Sequence, residues 1–271
     1  MTTEKEEAME TRMTTGAAAV QRFRRKLEAA KEKRELEKTG MPSLMAGINQ
    51  DPEEDDSGRD DELRRMVKLA TADVPSMSEK ELESHGIYKR FWNVTIANIL
   101  DRGVPDAQKA AWAQVEKYVR NFNKNLQEGR GLMFVGGVGT MKTTMAVAIL
   151  RHSIDNGRGG FFIPMSSLLD TLSDMRERHD GGLLAFENRI RNTPLLVLDD
   201  LGAEYDHTWV QCKVDAIINE RYNRMRSTIV TSNLAPADIR DRYQLRIFDR
   251  LKNTNQLIVL RGDSLRTTAK G

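Results

Sequence analysis

Gly136-Gly137-Val138-Gly139-Thr140-Met141-Lys142-Thr143-Thr144 lies between two apolar runs. Ahead of it is Leu132-Met133-Phe134-Val135, of the length and character of a buried strand. Behind it, Thr144-Met145-Ala146-Val147-Ala148-Ile149-Leu150 reads as the first turns of a buried helix. Strand, glycine-rich turn and helix form the context of a phosphate-binding loop. Glycines let backbone N–H groups turn inward around phosphate oxygens, and the helix N-terminus adds partial positive charge. Lys142 is expected on the β- and γ-phosphates of a nucleotide, and the hydroxyl of Thr143 on Mg²⁺. The pattern G-x-x-x-x-G-K-[ST] runs from Gly136 to Thr143, with Met141 in place of its second glycine.

Downstream, strands and helices are expected to alternate. Gly160 to Pro164 reads as a strand, and Ser166 as the N-cap of a helix reaching Arg178. Leu183 to Arg191 and Trp209 to Arg224 read as helices. Pro194 to Asp200, Thr228 to Thr231 and Gln256 to Leu260 read as strands, and Pro236 to Arg242 as a helix start. Such alternation implies an α/β fold with a parallel sheet between helices. Ligands of open α/β sheets lie beyond the carboxyl ends of the strands.

Three further groups fall at those ends. Asp199 closes an apolar run, where a carboxylate would hold the Mg²⁺ shell. Its neighbour Asp200 would orient or deprotonate the attacking water. Asn233 follows Thr231-Ser232, where a neutral amide can hold that water without adding negative charge. Arg246 and Arg250 stand one helical turn apart; they suit either phosphoryl-transfer charge, often from a neighbouring subunit, or a salt-bridged surface.

The region before the loop is different in kind. Residues 17–38 read as a charged helix with a narrow stripe, Val20, Phe23, Leu27 and Ala30, that suits either a solvated surface or a partner helix. Residues 51–62 are acidic and read as a linker. Ser78-Glu79-Lys80-Glu81 resembles a capping box. Gly86 to Thr95 mixes aromatic and basic residues; it could stack on a nucleobase or anchor the linker to the following domain. A helix is expected from about Asp106 to Asn121.

Composition sets bounds. The 271 residues suit one large domain or one domain with an appendage, and the net charge of +2 makes no global case for nucleic acid. The single cysteine, Cys212, excludes an internal disulfide and a cysteine zinc site. No apolar run approaches a membrane span and no signal peptide is read, so a cytoplasmic location with no membrane partner is expected.

The set Gly-Ile-Tyr-Lys-Arg-Phe at 86–91, the phosphate loop, Leu-Val-Leu-Asp-Asp-Leu-Gly-Ala-Glu at 196–204, Thr-Ser-Asn at 231–233, Arg-Ile-Phe-Asp-Arg-Leu at 246–251 and Gly-Asp-Ser-Leu-Arg at 262–266 resembles a known branch of the AAA+ ATPases. That branch holds the bacterial replicative-helicase loaders (DnaC-like) and the insertion-sequence helper ATPases (IstB-like). The resemblance implies a P-loop ATPase with a parallel five-stranded sheet that self-assembles on DNA. It implies that residues 136–144 and Arg266, as sensor 2, contact ATP, and that Thr143 and Asp199 serve the metal. It implies Asp200 in place of the usual catalytic glutamate, with Glu204 a second acid, Asn233 as sensor 1, and Arg250 as an arginine finger with Arg246 as the alternate. The expected division is a helical, partner-binding region over 1–85 and the ATPase over 86–271. The implied function is loading of a replicative helicase onto single-stranded DNA, the helicase being gripped by the N-terminal region. Two alternatives stand beside it: a transposition helper that binds duplex DNA and recruits a transposase, and a nucleotide-switched binding module with little turnover.

Overall fold

The computed structural model describes residues 61, 64–65, 77–178, 182–203 and 208–266. The chain divides into two compact units, Met1–Glu54 and Asp55–Gly271, and all described residues belong to the second. The expected helix over 17–38, most of the acidic stretch 51–62 and Glu204 lie outside them.

The sheet is built from β1 (Gly131–Gly136), β2 (Phe161–Pro164), β3 (Leu195–Asp199), β4 (Ser227–Ser232) and β5 (Asn255–Leu260). Its order is β2-β3-β4-β1-β5 and every pairing is parallel. This is the five-stranded parallel sheet the resemblance implied. Strand side chains alternate between faces, and each face has its own core. Leu132, Phe134, Val197 and Ile258 enter one; Met133, Val135, Leu198 and Val230 enter the other. Burial on both faces is why the strands read as unbroken apolar runs rather than alternating ones.

The first core is covered by α1 (Glu79–Ser84), α2 (Ile96–Arg102), α3 (Asp106–Arg120), α4 (Phe122–Gln127) and α5 (Lys142–Asp155). In α5 the whole run Met145 to Leu150 is inaccessible to solvent. The second core is covered by α6 (Met165–Arg178), α7 (Gly182–Asn192), α8 (Thr208–Asn223) and α9 (Pro236–Thr254).

Two local expectations change and one is extended. Ser166 is no N-cap, because α6 starts at Met165 directly from the strand. The helix start expected at Pro236 holds, and the helix continues past Arg242. Ile239, Tyr243, Ile247 and Leu251 recur every four residues and keep α9 on the second core through Thr254. The expected division at residue 86 also cuts through packed structure. Leu82 of α1 lies in the first core, and Arg64 donates to the Leu100 carbonyl and to Asp101 on α2.

The capping box holds: Glu81 N–H donates to Ser78 Oγ at 3.3 Å, and Ser78 N–H to the Glu81 carboxylate at 2.8 Å. The next residues attach to the edge of β2, where Phe162 N–H donates to the His85 carbonyl at 2.9 Å. Gly86 follows with φ +77°, and a Cβ there would stand 2.0 Å from the Phe162 carbonyl oxygen. Only glycine fits this approach. The aromatic-basic cluster serves mainly as an anchor. Tyr88 and Phe91 meet the Phe162 ring at centroid distances of 6.0 and 6.1 Å. Trp92 Nε1 donates to the Ile87 carbonyl at 3.0 Å.

Candidate nucleotide-binding site

The phosphate loop leaves the carboxyl end of β1 and enters α5 at Lys142. β3 and β4 end beside it, so Asp199, Asp200 and Asn233 arrive at the same place by parallel pairing. A single hydrogen-bonded chain joins five expected site residues and one that was not expected. Lys142 Nζ donates to Asn233 Oδ1 at 2.7 Å, and Asn233 Nδ2 donates to Asp200 Oδ1 at 3.1 Å. Thr143 Oγ1 donates to Asp199 Oδ1 at 2.9 Å, and Thr231 Oγ1 donates to the same oxygen at 2.6 Å. Thr231 Oγ1 also accepts from Asp200 N–H at 2.9 Å, which locks the two acids to β4. Thr231 thus positions the Asp199 carboxylate and the Asp200 backbone. The signal was a hydroxyl two residues ahead of Asn233 on a buried strand, a place where valine or isoleucine would otherwise suffice.

The remaining donors of the Lys142 ammonium reach the carbonyls of Gly136 at 2.9 Å and Gly137 at 2.6 Å. Burial pushes the Lys142 pKa down, while the Asp200 and Asp199 carboxylates push it up and Arg266 lowers it further. Burial pushes the Asp199 pKa up, against the hydrogen bonds from Thr231 and Thr143. A buried carboxylate beside a second one suits a cation.

Two residues of the site occupy left-handed backbone. Met141 has φ 73° and Asp200 φ 55°. Met141 holds the conformation for which the motif uses glycine, and its side chain packs against the first core. Left-handed backbone costs a residue with a Cβ about 1–2 kcal/mol. Met141→Gly removes that strain, whereas Met141→Ala keeps it and loses the packing. The glycine variant is therefore expected to be more stable than the alanine variant by about 1 kcal/mol, and to bind or turn over nucleotide slightly better than the parent. Denaturant unfolding measures the first effect; an alanine variant the more stable of the two would show that the backbone is unstrained.

The C-terminal segment closes over the loop. Leu265 N–H donates to the Gly139 carbonyl at 3.0 Å. Gly139 has φ +80°, and a Cβ there would stand 2.1 Å from Ser264 Oγ. Together these elements enclose a cleft of about 610 Å³, bordered by Val138 to Thr144, Asp200, Asn233 and Arg266. Its far side is formed by Arg90, Phe91, Asn98 and Arg102. The last two sit on α2, a helix the sequence reading did not place. The signal was Thr95, whose hydroxyl caps it by accepting from Asn98 N–H at 3.1 Å.

Arg246 and Arg250 do not border this cleft. Both turn to Asp215 on α8, Arg250 at 2.9 Å and Arg246 at 3.4 Å. Among the described residues no helix is long and apolar enough to cross a membrane.

Residues 118–271, more than half of the chain, match the family described as IstB-like ATP binding protein. The replicative helicase loader DnaC of Buchnera aphidicola subsp. Baizongia pistaciae is 27% identical over 161 residues, which are 58% of this chain and 63% of that protein. The loader DnaC of Escherichia coli (strain K12) is 23% identical over 167 residues, 61% of this chain and 67% of its own. The chain thus spans about two thirds of the length of these relatives. A crystal structure of the DnaC helicase loader superposes with a TM-score of 0.58 at 32% identity, covering 64% of this chain and all of that one. The replication initiator DnaA bound to AMPPCP and single-stranded DNA shares the fold, with a TM-score of 0.54 at 19% identity over 65% of this chain and 51% of that one. The parallel five-stranded sheet, the loop at its carboxyl end and these likenesses agree, and the chain belongs to the DnaC/IstB-like family of AAA+ ATP-binding proteins.

Proposed function

We infer that the chain loads a replicative helicase onto single-stranded DNA and binds and hydrolyses ATP where its own subunits meet. The observation that carries the ATP part of this reading is the hydrogen-bonded chain Lys142–Asn233–Asp200, with Thr143–Asp199 beside it, at the mouth of one cleft. The loop from Gly136 to Thr144 would cradle the phosphates, with Lys142 and Arg266 supplying positive charge. Thr143 and Asp199 offer adjoining hard oxygens that fit Mg²⁺, and the ion when bound would neutralise phosphate charge. Asp200 and Asn233 would hold the attacking water, with Glu204 a second acid for it. Arg250, with Arg246 as the alternate, would act on the cleft of a neighbouring subunit. Their distance from their own cleft supports that reading.

The loader reading rests on the likeness to DnaC. A second reading, a transposition helper that binds duplex DNA, is favoured by the IstB-like family match. A third, a nucleotide switch with little turnover, is favoured by the left-handed backbone of Met141 and Asp200.

One truncation tests the partner. Because Leu82 is part of the core, the shortened chain should start at Met77. It is expected to keep ATP binding and to lose co-elution with the host's replicative helicase on size exclusion. Co-elution that survives would move the partner surface to the ATPase domain. Co-elution of the full chain with the host's transposase and not its helicase would favour the second reading.

A further inference from the structure

The opposite end of the sheet carries a second opening of about 440 Å³. It is bordered by the turn between α3 and α4, by the start of β1, and by the junction of α9 with β5. Lys117, Lys124, Arg130 and Lys252 surround it, and Glu128 is the one acid among its bordering residues. Glu128 lies 3.6 Å from Arg130. Among the described residues, no carboxylate pairs with Lys117, Lys124 or Lys252. The three lysines are exposed, and they come from the consecutive helices α3 and α4 and from the distant α9. An adjoining groove of about 420 Å³ shares Asn121 and Lys124 with the first.

These features decide what the opening fits. A small anion would want buried donors converging on a point, whereas these cations are exposed and spread. A partner protein's helix would want apolar anchors; the bordering residues are Lys, Arg, Asn, Gln, Glu, Gly and Thr, and the one large ring, Tyr118, is buried. An extended polyanion with regularly spaced charge needs only such spread cations and polar edges.

We propose that this basic cleft is a contact surface for the phosphate backbone of a nucleic acid, separate from the nucleotide cleft. Gly131 opens β1 beside it and Gly136 closes β1 at the phosphate loop. Six residues of strand hold the two openings about 20 Å apart. A backbone at the basic cleft would therefore leave the nucleotide cleft free. With no exposed aromatic ring among the bordering residues, no base stacks there and the phosphate charge carries the affinity.

The test is fluorescence anisotropy of a labelled oligo(dT) with the full chain over a salt series, the parent being compared with the Lys117→Glu, Lys124→Glu, Lys252→Glu triple variant. Each lost phosphate contact flattens the slope of log affinity against log salt by about 0.7. The triple variant is expected to lose about 2 in slope and roughly tenfold or more in affinity at moderate salt. A fluorescent ATP analogue should bind parent and variant alike, because the nucleotide cleft is at the other end of the sheet. An unchanged slope, with ATP binding intact, overturns the proposal and leaves the proposed function standing. If the triple variant also loses ATP binding, the single Lys→Gln variants decide. Each should flatten the slope by about 0.7, and three unchanged slopes overturn the proposal. Failure of the parent to bind any oligonucleotide overturns it too, and with it the DNA part of the proposed function.

Discussion

Lys142→Ala is expected to lower ATP affinity at least about a hundredfold, measured by titration of a fluorescent ATP analogue. Lys142 is almost wholly buried and its ammonium already has three acceptors: Gly136 O, Gly137 O and Asn233 Oδ1. It is thus held at the loop rather than free in solvent, and little side-chain entropy remains to be lost when phosphate arrives. A charge-assisted hydrogen bond contributes about 1.5–3 kcal/mol, and about 1.4 kcal/mol is tenfold in affinity. Two phosphate contacts therefore account for the hundredfold. Arg266 borders the same cleft, and its charge lowers the Lys142 pKa. It is exposed, however, and has no comparable set of bonds to fix it, so it cannot replace the lysine. Arg266→Ala should cost less than Lys142→Ala. Equal affinity in parent and Lys142→Ala protein, with both folded by thermal melting, would mean that the loop is not the nucleotide site.

The parts of this site that were legible in the sequence are those fixed by local chemistry. Glycines before a Lys-Thr pair, and acids ending an apolar strand, need no distant information. Parallel pairing then does the assembly: β3 and β4 register residue by residue, Leu198 against Val230, and this alone brings Asp199 beside Thr231. What stayed illegible depends on contacts between remote segments. Ser264 and Leu265 seat on Gly139 from more than a hundred residues away, and no local pattern announces it. α2 is only seven residues long, too short for periodicity to stand out, yet it supplies Asn98 and Arg102 to the cleft. α9 was read as a start and a later turn because charged residues fill its outer face. Its continuous core stripe, Ile239 to Leu251, emerges only when the second core is seen beneath it. The basic cleft was hidden for a similar reason. Its lysines are scattered over a chain whose net charge is only +2, and folding gathers them.

Arg250→Ala is expected to leave ATP binding intact and to remove most hydrolysis, by a factor of about 10³–10⁵ if the arginine stabilises charge on a neighbour's γ-phosphate. Within its own chain Arg250 is bound to Asp215 at 2.9 Å, and its side chain is 23% exposed. Arg246 holds the same carboxylate more loosely, at 3.4 Å, with its side chain 69% exposed. Asp215 thus holds the half-buried Arg250, and Arg246 is the freer of the two to reach across an interface. The two roles can be separated. An arginine that only ties α9 to α8 contributes about 0–1 kcal/mol at such exposure, and its loss would shift the melting temperature slightly without selective loss of turnover. An arginine that acts on a neighbour loses turnover with melting unchanged. Its loss should also be rescued in part by mixing with Lys142→Ala protein, because each variant supplies what the other lacks. Comparing Arg246→Ala in the same mixing assay decides between the pair. The variant that loses turnover and regains it on mixing identifies the finger. If both arginine variants keep full turnover, the pair serves only to brace α9 on Asp215; if turnover is lost and neither variant recovers at any ratio while assembly is intact, action across the interface is excluded.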